Sequence, residues 1–79
     1  HKEFDEFSAV QREKIAEWIR ILNAWDEYCA KSTLKKVAAT EKFVQLQKVA
    51  NPDINISKGI LYRKKKALKA DDLAGLIDN

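Results

Sequence analysis

The strongest constraint on the fold is an uninterrupted amphipathic stretch from Ala9 to Lys31, which contains no glycine or proline. Its apolar residues recur at alternating spacings of three and four, the period of one face of an α-helix; they are Ile15, Trp18, Leu22, Trp25 and Cys29. Ser8 and Gln11 form an S-x-x-Q capping box just before it. We therefore predict a helix from Ala9 to Lys31, about 35 Å long, that scaffolds the chain and holds both tryptophans in the core.

The second predicted helix runs to about Ala50. Ser32 and Thr33 are good cap residues and separate it from the first helix. Its expected apolar face repeats at spacings of four, three and four and comprises Ala39, Phe43, Leu46 and Ala50, flanked by Val37 and Val44. The segment Asn51-Pro52-Asp53 should end it, because proline disfavours helix in the preceding residue.

A third helix is predicted to start at Ser57, with Ile56 and Leu61 placed to form a hydrophobic staple. Leu61 and Leu68 should face the core with Ile60 and the alkyl stem of Lys65. Asp71 is then expected to cap a last short helical turn that carries Leu73, Leu76 and Ile77. The fold class is thus all-α: a small helical bundle with a long N-terminal helix and a helix-turn-helix unit.

Composition excludes several classes of protein. The 79 residues are 46% hydrophobic and 34% charged, which is typical of a folded domain. One cysteine, Cys29, and one histidine, His1, allow neither an internal disulfide nor a Cys/His zinc site. We expect Cys29 to be a small buried hydrophobe, and we expect no cofactor and no metal. No apolar run approaches the roughly 20 residues of a transmembrane helix, so no membrane association and a cytoplasmic location are expected.

The distribution of charge is more informative than the net charge of +3. Residues 1–30 carry a net charge of −3, and the last ten residues add another −3. Between them, residues 31–69 carry eleven basic residues against only Glu41 and Asp53. Such a concentration of positive charge attracts polyanions, nucleic acid above all. The alternative is a lysine-rich surface that merely faces solvent.

The predicted turn and basic third helix resemble a helix-turn-helix unit, whose second helix enters the major groove of DNA. One face of this helix should present Lys58, Gly59, Tyr62, Arg63, Lys66 and Lys69. Arg63 is the best candidate for a base contact, because its planar fork matches the O6 and N7 acceptors of guanine. Gly59 either permits close approach of DNA or simply adds flexibility. The candidate DNA-binding residues are Ser57, Lys58, Gly59, Tyr62, Arg63, Lys64, Lys66 and Lys69, of which Lys64, Lys66 and Lys69 are expected to bind phosphates and Lys58 either phosphates or bases.

An enzymatic function is not expected from this chain. It contains no Ser/His or Cys/His set, no metal-ligand cluster and no glycine-rich phosphate loop. Its adjacent acids, Asp26-Glu27 and Asp71-Asp72, point about 100° apart on a helix and do not form a ready catalytic pair.

Several of these segments together resemble the end-binding region of phage Mu-type DDE transposases, in particular its second, larger helix-turn-helix subdomain. The similar parts are the long helix with Trp18, the S-T-x-K segment at Ser32, the run from Ile56 to Arg63, and the run from Leu73 to Asp78. The resemblance covers about residues 8–78. Two positions depart from the family pattern: Ile60, where the family often has threonine, and Lys65, where it often has a large aromatic residue.

The resemblance implies sequence-specific binding of double-stranded DNA at the ends of a mobile element. The chain, residues 1–79, would be one DNA-binding domain of a longer bacterial or phage-encoded transposase, whose metal-dependent catalytic domain lies elsewhere in the parent protein. Oligomerisation with other transposase subunits would then use parts outside this chain. Two alternatives remain: a helix-turn-helix transcriptional regulator, and a helical module whose basic helix docks an acidic protein or an anionic membrane surface.

Overall fold

A computed structural model describes residues 3–77 of the chain; His1 and Asp78, which the sequence analysis uses, lie outside this range. The described part contains four helices, α1 (Ala9–Lys31), α2 (Lys36–Ala50), α3 (Lys58–Lys69) and α4 (Leu73–Ile77), preceded by a 3₁₀ turn, Phe4–Glu6. It contains no strand, and the prediction of a small all-α bundle is confirmed.

Helix α1 begins and ends where the sequence predicts. The Gln11 amide donates to the Ser8 hydroxyl at 3.2 Å, and the Ser8 amide donates to the Gln11 side chain at 3.0 Å. This reciprocal pair is the predicted capping box. Helix α1 contacts each of the other three helices, so it is the scaffold of the domain.

Ser32 and Thr33 separate α1 from α2, as the sequence indicates, and the structure sets the start of α2, which the sequence left open. Ser32 ends α1: its amide donates to the Tyr28 carbonyl at 3.0 Å, and its hydroxyl accepts from the Leu34 amide at 3.1 Å. Helix α2 begins after Lys35, whose side chain makes no capping hydrogen bond. Ser32 and Thr33 are therefore too early in the chain to cap α2, because three more residues are needed to turn it back against α1.

The buried face of α2 is rotated relative to the predicted one. Ala39 and Phe43 are buried as expected, but Thr40 and Val44 complete the face. Leu46 is 54% exposed, and Ala50 is also exposed. Apolar residues occur on more than one side of this helix, so its period alone does not identify the side that contacts α1.

Trp25 lies at the centre of the core, where only 1% of its surface is exposed. Its indole Nε1 donates to the Thr40 hydroxyl at 2.9 Å, and that hydroxyl donates to the Lys36 carbonyl at 2.7 Å. The Tyr62 ring of α3 meets the Trp25 ring edge-on, with centroids 5.2 Å apart. Trp25 therefore contacts α2 and α3 together. Cys29 is half-buried beside it, with its sulfur 4.0 Å from the Thr40 hydroxyl.

The turn between α2 and α3 follows the sequence signals closely. Helix α2 ends at Ala50, as the Asn-Pro-Asp segment predicts. The Ile60 amide donates to the Ser57 hydroxyl at 3.3 Å, so Ser57 caps α3. Ile56 and Leu61, the expected staple, are both buried in the core cluster. The start of α3 is thereby held in place from both sides of its cap.

Helix α3 ends in a Schellman motif centred on Asp71, whose φ of 59° is in the left-handed region. The Asp72 amide donates to the Ala67 carbonyl, and the Asp71 amide donates to the Leu68 carbonyl. Asp72, not the predicted Asp71, caps α4, because its carboxylate accepts from the Gly75 amide at 3.2 Å. A Cβ at Gly75 would lie 2.9 Å from that of Ala67; glycine therefore allows α4 to pack closely on α3.

The two tryptophans should contribute unequally to stability. The sequence places both in the core, but Trp18 is only half-buried. We expect Trp25→Ala to lower the free energy of unfolding by about 3–5 kcal/mol, since it removes a buried ring and the indole N–H that donates to the Thr40 hydroxyl. Trp18→Ala should cost roughly half of that or less, because less apolar area is lost. Denaturant unfolding followed by circular dichroism measures both, and a larger loss for Trp18→Ala would contradict this core.

Candidate nucleic-acid interface

The surface of α3 divides into an exposed and a covered face. All six residues predicted to share the outer face are exposed: Lys58, Gly59, Tyr62, Arg63, Lys66 and Lys69. The other residues of α3 are buried or half-buried. Leu61 and Leu68 pack in the core as predicted, and Lys65 is half-buried. The exposed face therefore carries four cations and no acid, and we call these six residues the basic face.

Lys64 does not belong to the basic face, and its predicted role as a phosphate ligand is wrong. Its side chain is buried, with 3% of the residue exposed. The ammonium donates to the Leu76 carbonyl at 2.6 Å and to the Gly75 carbonyl at 3.4 Å, and it lies 5.1 Å from the centroid of the Trp18 ring. A cation at the carbonyl end of a helix is stabilised by the helix dipole, so Lys64 holds α4 against α3.

Lys65 also serves the interior of the domain. Its ammonium pairs with the carboxylate of Asp26 on α1 and lies 5.3 Å from the centroid of the Trp25 ring. Its alkyl stem therefore crosses apolar surface, as the sequence predicts. Two of the six basic residues of α3 are thus used to join α3 to its neighbours.

Tyr62 is anchored by packing yet remains accessible. It is 43% exposed, and its ring rests edge-on against Trp25. The ammonium of Lys36, in the first turn of α2, lies 5.9 Å from the centroid of the Tyr62 ring. Sequence analysis did not select Lys36. Only the folding of α2 against α1 brings this residue beside α3 and extends the positive surface.

The N-terminal end of the basic face contains Lys58 and Gly59, and Ser57 lies just before it. Ser57 is exposed, but its hydroxyl is already occupied as the cap of α3. The ammonium of Lys58 pairs with Glu41 of α2 at 2.7 Å. A Cβ built on Gly59 would meet no atom within 4 Å, so the backbone here is open to an approaching molecule.

Arg63, Lys66 and Lys69 are the accessible cations in the rest of the basic face. Within residues 3–77, the side chains of these three residues make no hydrogen bond or ion pair. Arg63 also borders an open cleft of about 830 Å³, which Trp18, Ile60 and the turn from Asn51 to Asn55 line. These three side chains can therefore reach an external anion without breaking an internal contact.

Neither a metal-binding cluster nor a membrane-spanning helix occurs in the described part of the chain. Among residues 3–77, no group of three or more His, Cys, Asp and Glu side chains is placed to hold a metal ion. No helix in the same range is long and apolar enough to cross a membrane.

Comparison with known proteins adds no assignment: no family model matches the chain, and neither curated proteins nor solved structures give a significant match.

Two lysines of α3 should differ in their effect on folding. We expect Lys64→Met to lower the free energy of unfolding by about 1–3 kcal/mol, because two carbonyls of α4 lose a buried donor. The same change at the exposed Lys66 should alter it by less than about 0.5 kcal/mol. Thermal and denaturant unfolding of the two variants test this, and equal losses would show that Lys64 does not hold α4.

Proposed function

We propose that the chain binds double-stranded DNA through the basic face, with α3 in the major groove. The main support for this proposal is that α3 has one covered face and one exposed face. The exposed face contains four cations and no acid. An α-helix fits the major groove of B-DNA, and phosphates flank it on both sides. The same face would fit no apolar partner well, because Tyr62 is its only large ring.

The proposed roles of the residues follow from their positions along α3. Arg63 lies one turn beyond Lys58 and would contact base edges, while Lys66 and Lys69 lie further along and would bind phosphates. Lys36, which the fold places beside Tyr62, would bind a further phosphate. The Arg63 side chain has no hydrogen bond or ion pair among residues 3–77, so a base contact would break no such interaction in that range.

We further propose that the chain is the end-binding module of a Mu-like transposase. Support comes from the resemblance of the runs Ile56–Arg63 and Leu73–Asp78 to that family. The structured part of these runs supplies the cap of α3, four of the six residues of the basic face and the close packing of α4 at Gly75. The domain would then hold the DNA in position for a catalytic domain elsewhere in the parent protein. The parent protein would act in the cytoplasm of a bacterium.

The proposal is tested by fluorescence anisotropy with a duplex selected from a randomised pool and a scrambled duplex, at two salt concentrations. We expect the selected duplex to bind more tightly, with a salt dependence that corresponds to about four to six phosphate contacts. Arg63→Ala should lose about 1–3 kcal/mol of discrimination between the duplexes. Lys69→Ala should weaken both equally and lower the salt slope by about 0.9.

Arg20→Ala is the matched control for Arg63→Ala, because Arg20 is exposed on α1 and borders a cleft that no residue of α3 lines. It removes the same charge from another surface and should leave discrimination unchanged. Weak binding that is equal for both duplexes, or equal effects of the two arginine variants, would reject groove binding by α3.

Gly59→Ala distinguishes between the two roles considered for Gly59, which are to let DNA approach the backbone closely or only to make the chain flexible. Its Cβ would meet no neighbour, and its φ is not in the left-handed region. Alanine should therefore raise the free energy of unfolding by about 0.4–1 kcal/mol. If the DNA backbone approaches Gly59, affinity for the selected duplex should fall despite this gain. A stabilised variant with unchanged affinity would remove Gly59 from the interface.

A further inference from the structure

Glu41 places a negative charge at the edge of the basic face. Its carboxylate accepts from the ammonium of Lys58 at 2.7 Å, and the two side chains are 58% and 45% exposed. Lys58 is the first residue of α3, at the end that would enter the groove. Asp53 is the only other acid between residues 31 and 70. Glu41 is thus one of two acidic residues in a segment that is otherwise basic. It pairs directly with Lys58, a candidate DNA-binding residue.

The pair does little to hold α2 and α3 together. Water screens both charges of an exposed ion pair, and ordering two long side chains costs entropy. The two helices are joined instead by apolar packing, because Phe43 and Val44 of α2 share the core cluster with Leu61 of α3. The main consequence of the pair therefore concerns what else Lys58 can bind.

DNA phosphate and the Glu41 carboxylate require the same ammonium. A phosphate that approaches Lys58 at 0.15 M salt would come within the Debye length of about 8 Å from that carboxylate and be repelled by it. Lys58 would also have to exchange one anionic partner for the other. Both effects reduce the free-energy gain from neutralising a phosphate at this position.

We infer that Glu41 competes with DNA phosphate for Lys58 and thereby lowers the affinity of the domain for DNA. The inference rests on the proposed function of the basic face. Because a phosphate contact carries no sequence information, its weakening lowers the affinity for a specific site and for other DNA by the same factor. Glu41 therefore lowers the overall affinity and the salt dependence of binding, and it leaves the base recognition proposed for Arg63 unchanged.

The test uses Glu41→Gln, which keeps the shape of the side chain and removes its charge. Anisotropy with a short duplex of mixed sequence should show several-fold tighter binding than the original chain. The slope of log affinity against log salt should steepen by about 0.9, the value for one additional phosphate contact. In a Lys58→Gln background, Glu41→Gln should have little further effect, since the ammonium for which carboxylate and phosphate compete is absent.

Glu27→Gln is the matched control. Glu27 pairs with Lys31 at 2.8 Å and is similarly exposed, at 65%. The hydrogen bond from Lys31, followed by its positive charge, holds the pKa of Glu27 below its ordinary value, so the substitution also removes a full negative charge near neutral pH. Both residues of this pair are on α1, and within residues 3–77 neither side chain has a hydrogen bond or ion pair with the basic face. We expect the control to leave the salt slope unchanged.

The outcomes separate the inference from the proposed function on which it rests. If the original chain binds duplex DNA but Glu41→Gln behaves like Glu27→Gln, the inference is overturned and DNA binding stands. A gain that persists in full with Lys58→Gln would also overturn it, because the effect would then come from net charge. If the original chain binds no duplex at low salt, both the proposed function and the inference fail.

Discussion

The hydrogen bond from the Trp25 indole to the Thr40 hydroxyl joins the two longest helices at the centre of the core. Its N–H and O–H groups both have partners, since Thr40 donates onward to the Lys36 carbonyl, and a satisfied polar chain is strengthened by the low dielectric around it. The same ring supports Tyr62 edge-on and lies beneath the ammonium of Lys65. Trp25 thus helps to set the position of α3, and hence the direction of its basic face, together with the core packing of Leu61.

The basic residues of α3 therefore have two different roles. Lys64 and Lys65 point toward the body of the domain, where one binds the carbonyls of α4 and the other pairs with Asp26. Arg63, Lys66 and Lys69 point outward. A run of consecutive basic residues on a helix is therefore not one surface, because successive side chains are rotated by about 100°.

The effect proposed for Glu41 concerns the edge of the same basic face. Its carboxylate pairs with Lys58, the first residue of α3, and in the proposed complex with DNA it would weaken a phosphate contact there for every sequence alike. In this view, α2 contributes both a cation, Lys36, and an anion, Glu41, to the margins of a surface that α3 dominates.

Local signals in the sequence determined the bounds of α1, the end of α2 at Ala50 and the cap of α3 at Ser57, because caps and proline act over a few residues. The period of α3 likewise identified its six exposed residues. Only the tertiary structure decided which side of α2 is buried, since apolar residues occur on several sides and contact with Trp25 selects Thr40. It also decided that Lys64 is buried and that Lys36 and Glu41 flank α3, because these contacts join residues far apart in the sequence.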